Sequence, residues 1–116
     1  MRFDHQRLQD MLDAIDALAR FLRGHTLDSF LAAEVLRSAT ARQLTVIGEA
    51  AARVSPDLKN RYPSVPWPDI VAFRNILVHE YFGLLWPVVW NAATEDAPAL
   101  GPLIAGIISA EFPPTP

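Results

Sequence analysis

The side chains best equipped for chemistry stand in one stretch, Phe73-Arg74-Asn75-Ile76-Leu77-Val78-His79-Glu80-Tyr81-Phe82-Gly83. A histidine gives or takes a proton near neutral pH, its unperturbed pKa being about 6.5. An arginine stays charged and offers a planar fork that fits phosphoryl oxygens. Asn75 comes four residues before His79, so on a helix the two share a face, and the amide can orient the imidazole or bind a phosphate. Tyr81 adds a phenolic hydroxyl. The set suits proton transfer beside an anion, and it needs a frame to hold it.

A helix is that frame. At about 100° per residue, with Arg74 taken as 0°, Asn75 falls near 100°, Val78 near 40°, His79 near 140°, Tyr81 near 340° and Phe82 near 80°. Ile76, Leu77 and Glu80 fall between roughly 200° and 300°, and Ile70 and Phe73 join them as the core stripe. The polar four share the other face with Trp67, Val71, Val78 and Phe82. Two faces that both want burial predict a partner surface. Arg74 and His79, about 140° apart, converge on one phosphate better across a two-fold axis, or at a bend, than within one straight helix.

The whole chain bounds the reading. Its 116 residues are 51% hydrophobic and 20% charged, which fits one domain with a real core. That domain is expected over residues 1–112, with 113–116 as a loose proline-rich tail. There is no cysteine, hence no disulfide framework, no thiolate nucleophile and no zinc site built on sulfur. Three histidines and scattered acids show no metal-ligand spacing, so neither metal nor cofactor is expected. The start, Met1-Arg2-Phe3-Asp4-His5, is charged where a signal peptide would be apolar. The greasiest stretch, Tyr81 to Ala93, is broken by Gly83 and Pro87 and is too short for a membrane span. A cytoplasmic location and no membrane association are the expectation. A net charge of −3 argues against a protein that coats nucleic acid, while leaving room for a local basic site.

In chain order, Leu8, Met11, Leu12, Ile15, Leu18 and Leu22 keep helical spacing up to a stop at Gly24. Thr26 and Asp28 offer caps for a long helix from about Ser29 to Val54, with a break near its start as the alternative and Gly48 its one weak interior point. Ser55-Pro56 opens a short helical turn. Tyr62 to Pro66 reads as an extended connector. Pro68 then suits the first turn of a helix running to Phe82 and stopping at Gly83. Glu80 in its last turn is a local inconsistency, since the helix dipole disfavours an anion there. Trp86-Pro87 restarts a helix that Pro98 and Gly101-Pro102 are expected to kink or interrupt. The fold class is all-α, a bundle of four to five helices.

Arg74-Asn75-x-x-x-His79-x-Tyr81, with Trp67, Ile47-Gly48-Glu49-Ala50, Arg42-x-Leu44 and Trp90…Pro98-x-Leu100 around it, resembles the HepT-like branch of the HEPN superfamily. The resemblance covers most of the chain. It departs in the apolar final helix, Gly101 to Ile108, and in Pro68 directly after the tryptophan. It implies a HEPN-type bundle that dimerises through the motif helix. It further implies a metal-independent endoribonuclease, the toxin of a toxin–antitoxin pair, with Arg74, Asn75 and His79 catalytic. The partner would be a cognate minimal nucleotidyltransferase antitoxin that silences the toxin by transferring AMP to Tyr81. RNA would be cut by attack of its own 2′-hydroxyl, leaving a cyclic phosphate and a 5′-hydroxyl.

Several residues keep two readings. Arg42 and Glu49, seven apart on one helical face, serve either as substrate contacts or as ion-pair partners of a neighbouring helix. Tyr81 either touches RNA or is simply the hydroxyl a nucleotidyltransferase can reach. Arg37, Arg42, Arg53, Lys59 and Arg61 form a basic rim or an ordinary solvated face. Trp67, Trp86 and Trp90 are read as packing, and His5 and His25 as solvated. Two functions compete with the ribonuclease: a non-catalytic dimeric module that binds its nucleotidyltransferase partner or a nucleotide, and a purely structural helical dimer.

Overall fold

Leu8, Met11, Ile15, Leu18 and Leu22 make one buried stripe on α1 (Asp4–Leu22), and the helix stops where Gly24 takes φ +79°, a conformation side chains with a Cβ avoid. The structure, a computed structural model, describes residues 3–115. Met1, Arg2 and Pro116, the outermost residues of the expected domain and tail, lie outside the described residues. A reciprocal capping box then opens α2 (Leu27–Ala32). Thr26 Oγ1 accepts from the Ser29 N–H at 3.2 Å, and Ser29 Oγ accepts from the Thr26 N–H at 2.8 Å, which satisfies two otherwise free donors.

The long helix expected from about Ser29 is broken near its start, the alternative its reading kept. Ala33, at φ −112° and ψ 91°, separates α2 from α3 (Glu34–Arg53). Packing decides the break. By turning away from α3, α2 seats Phe30 in full burial, its ring 5.2 Å from Trp90 and 6.2 Å from Trp86. Burying such a side chain is worth about 1.5–3 kcal/mol, more than the roughly 1 kcal/mol of a helical hydrogen bond lost at the joint.

Ser55 caps α4 (Pro56–Arg61) as expected, accepting from the Leu58 N–H at 3.3 Å. Asp4, buried at the start of α1, accepts from the Ser55 main-chain N–H at 2.9 Å and from its hydroxyl at 2.6 Å. This fastens the N-terminal end of α1 to the C-terminal end of α3. Burial by itself raises the Asp4 pKa. The hydrogen bonds from Ser55, with nearby positive charge, turn the net shift downward.

α5 (Trp67–His79) ends before the expected Phe82. Glu80 leaves the helix at φ −126° and ψ 34°, and Tyr81–Gly83 form a single 3-10 turn. Glu80 is the C-cap, its N–H donating to the Ile76 carbonyl at 2.9 Å, so the anion still stands at the helix end that the dipole makes unfavourable for it. The chain from Trp86 to Glu111, in contrast, is not interrupted. α6 (Trp86–Asn91) passes through a π turn, Ala92–Asp96, into α7 (Ala97–Glu111). The wider turn leaves Pro98 in the first turn of α7, where its missing N–H is tolerated. Pro102 stays inside the helix.

α1 packs against α3 and α7, and α3 lies between α1 and α5. Four principal rods with two short helices thus form an all-α bundle, as expected. Leu8, Met11, Leu18, Phe30, Leu58 and Ile104 are its most buried large side chains. The bundle stays open between α5 and the α6–α7 rod, where Leu44, Ile47, Ile70, Phe73, Leu100 and Leu103 help line an apolar cleft of about 510 Å³. Among the described residues, no helix is long and apolar enough to cross a membrane.

Candidate active site

α5 presents a different face to the core than its apolar residues suggest. Trp67, 5% exposed, and Leu77 are buried, Ile70, Val71 and Arg74 are half-buried, and all belong to the side turned to α3. Ile76, placed in the core stripe by its angle, is instead 44% exposed, and Glu80 is exposed as well. The reason is Gly48. A Cβ built on Gly48 would stand 2.2 Å from the Arg74 Cβ and 2.8 Å from its Cγ. The two helices therefore touch at Arg74, whose apolar stem acts as a core group while its head reaches outward. Counting only apolar side chains leaves that stem out and rotates the helix.

The arginine head is fixed at this contact. Arg74 Nη1 donates to Glu49 Oε1 at 2.9 Å, an ion pair whose side chains are 21% and 41% exposed. Arg74 Nε is buried with no hydrogen-bond partner among the described residues. A buried donor left over is costly, and Arg37 Nε is in the same state. Asn75 and His79, one turn apart on α5, are both exposed. Both are open to solvent, whereas the Arg74 head is held against α3 by Glu49.

Tyr81, placed beyond the helix by the 3-10 turn, is 36% exposed. Its hydroxyl lies 3.1 Å from Ser38 Oγ on α3. Its ring meets the edges of Phe82 and Trp86 at centroid distances of 5.7 and 5.8 Å. Trp86 is covered on another side by the Arg37 guanidinium, 5.5 Å from the ring centroid. The phenol is thus oriented yet reachable. Around it runs apolar surface with nothing on it: Val78, Leu85 and Val88 are exposed, and Phe82 is fully so at 103%.

The tryptophans pack, as read: Trp67 is buried with Nε1 donating to the Tyr62 carbonyl at 3.0 Å, and Trp86 and Trp90 flank Phe30. His5 and His25 are exposed, the first stacked on Phe112. Arg42 and Glu49 open onto one small pocket between α1 and α3. Of the two, Glu49 makes the ion pair with a neighbouring helix that was one of its readings. Among the described residues, no three of His, Cys, Asp or Glu group as metal ligands. Gly48 and Ser38 went unrecognised as site residues. Gly48 stands in the Ile47-Gly48-Glu49-Ala50 segment, whereas nothing in the sequence singles out Ser38.

Comparison with known proteins adds to this geometry. Residues 11–107 match the family described as ribonuclease HepT-like. A protein of Methanocaldococcus jannaschii named "Putative RNase" is 33% identical over 80% of this chain and 85% of its own length. The "Probable ribonuclease HepT" of Thermococcus cleftensis is 34% identical over 80% of this chain and 84% of its own. A further "Putative RNase", from Caldanaerobacter subterraneus, is 28% identical over 96% of this chain and 99% of its own. No solved structure matches the chain.

Proposed function

Because the chain belongs to the HepT-like ribonuclease family of the HEPN superfamily, we propose that it is a metal-independent endoribonuclease, the toxin of a toxin–antitoxin pair. It works as a homodimer and is silenced by AMP transfer to Tyr81 from a cognate minimal nucleotidyltransferase. The observation that carries the reading is the state of Arg74. Its guanidinium is held by Glu49 on one nitrogen and keeps a buried Nε without partner, at the position the family motif gives to the phosphate-facing cation.

In this reading His79 takes the proton of a ribose 2′-hydroxyl, or gives one to the leaving oxygen. The 2′-oxygen bonds to phosphorus, the bond to the 5′-oxygen breaks, and that oxygen picks up a proton. The products are a cyclic phosphate and a 5′-hydroxyl. Charge that builds on the phosphoryl oxygens meets the fixed Arg74, and Asn75 steadies the imidazole or the phosphate. Because Arg74 faces α3 while His79 faces outward, the two act together across a two-fold axis, Arg74 of one protomer with His79 of the other. The bare apolar surface at Val78, Phe82, Leu85 and Val88 supports a second copy there.

Silencing follows from the same geometry. The Tyr81 oxygen attacks the α-phosphorus of ATP bound by the partner, the phenolic proton is lost and pyrophosphate leaves. The tyrosine then carries a nucleotide whose bulk and negative charge occupy the phosphate site. The test is expression of the chain alone and beside its nucleotidyltransferase. Alone it arrests growth, and His79→Ala does not. With the partner, intact mass shows AMP-sized increments that vanish in Tyr81→Phe. A harmless wild-type chain that never gains such mass leaves the non-catalytic binding module as the function.

A further inference from the structure

Arg7, Arg42 and Arg53 line a pocket of about 230 Å³ between α1 and α3. Arg7 reaches it from the second turn of α1. Arg42 and Arg53 reach it from α3, where positions 42, 46, 49 and 53 repeat at helical spacing and share one side. Asp10 and Glu49 complete the polar lining, over a floor that includes Val46. Among the described residues, none of the three arginine side chains makes an ion pair or a hydrogen bond. Arg61, Arg74 and Arg37 are engaged, with Asp57 and Glu111, with Glu49 and with the Leu31 carbonyl; Arg20 and Arg23 make no ion pair either, but they do not share a pocket with a second arginine.

Both carboxylates of the pocket have a partner: Asp10 accepts from the neutral Gln6 amide at 2.8 Å, which leaves its charge in place, and Glu49 answers Arg74. Three arginines against these two acids leave the lining net positive in a chain whose net charge is −3, and guanidinium forks are shaped for phosphate oxygens. Glu49 is the hinge of the argument, since its carboxylate lines this pocket and also fixes Arg74. The pocket and the reaction site share that wall. Along α3, Arg53 lies about 6 Å beyond Glu49 and Arg42 about 10 Å before it, at 1.5 Å per residue.

We propose that this pocket is a backbone subsite for the RNA, holding a phosphodiester outside the bond that is cut, with Arg7, Arg42 and Arg53 as its ligands. The proposal rests on the ribonuclease reading for the identity of the strand. It gives an acidic protein a local grip on RNA without a basic surface. It also assigns Arg7, which nothing in the motif touches, to substrate binding.

The experiment measures affinity for a single-stranded RNA oligonucleotide of mixed sequence across a salt series, together with cleavage kinetics, for AMP-free wild type, Arg7→Gln, Arg53→Gln, the double variant and Arg53→Lys. Losing the subsite's one phosphate contact should lower the slope of log affinity against log salt by about 0.7, in full in the double variant and by less in each single glutamine variant. KM should rise about tenfold per glutamine variant, while kcat stays within about twofold and melting temperature is unchanged. Arg53→Lys should keep the slope. A wild type that cleaves, with slopes and KM unmoved in every glutamine variant, overturns the subsite and leaves the ribonuclease reading standing. A wild type that binds RNA with an arginine-dependent slope but never cuts it keeps the subsite and removes the ribonuclease reading. A chain that neither binds nor cuts RNA overturns both.

Discussion

Replacing Gly48 by alanine sets two physical effects against each other. In an isolated helix, alanine in place of glycine stabilises by about 1 kcal/mol. Here the added Cβ would stand 2.2 Å from the Arg74 Cβ. Ordinary carbon contacts lie at about 3.5–4.0 Å, so α5 and α3 must separate by roughly 1.5 Å at their closest point. The atom met is the root of the Arg74 side chain, with no torsion of its own to swing it aside. Overpacking of this kind costs about 1–3 kcal/mol. With the cost near the top of that range, the net effect is a loss of about 2 kcal/mol, or roughly 8 °C in melting temperature for a domain of this size. The same displacement moves Arg74 off Glu49, and misplacement by about 1 Å can cost on the order of 100-fold in rate. Thermal melts and RNA cleavage by Gly48→Ala, beside Gly48→Ser, read both quantities. A variant that melts at or above wild type with full activity would show that helix propensity governs the position, and the argument that seats Arg74 on Gly48 would fail.

Asp4→Asn should cost about 2 kcal/mol at pH 7, because a charged acceptor of two Ser55 hydrogen bonds is lost. The wild-type Asp4 pKa is lowered. Its contribution is therefore full above the unfolded value of about 3.9 and disappears as pH falls through the lower folded value. Urea midpoints between pH 7 and pH 3 should show a flatter acid limb in the variant; an identical limb would mean that Asp4 carries none of the acid sensitivity. Phe82→Ser combined with Leu85→Ser should yield monomers in sedimentation with helical content and melting of the isolated chain preserved, since both side chains are bare in the protomer. An unchanged oligomeric state would place the subunit contact elsewhere.

What could be read from the chain in advance, and what could not, divides along contact range. Periodicity along α1 and the caps at Thr26 and Ser55 are local signals, and the structure carries each of them; the connector read as extended is instead a turn, closed by the Val65 N–H on the Tyr62 carbonyl at 3.2 Å. The break at Ala33 is not local. It depends on Phe30 finding Trp86 and Trp90, more than fifty residues onward. The face of α5 escaped for a related reason. Its closest contact pairs a glycine with the stem of an arginine, and a wheel scored by apolar residues assigns weight to neither. Residue types and spacing single out Arg74, Asn75, His79 and Tyr81 as candidates, and a shared helical face groups Arg42 with Glu49. Ser38 beneath the Tyr81 hydroxyl, and Arg7 beside Arg42 and Arg53, come from other helices, so no spacing announces them.

The most direct test is RNA cleavage by the AMP-free chain in excess EDTA, beside His79→Ala and Arg74→Ala, with product ends identified. The account predicts that wild type cuts RNA to cyclic-phosphate and 5′-hydroxyl ends without metal, and that both variants remain folded and associated but inert. RNA left intact by clean wild type, or cut equally well by His79→Ala, would contradict it.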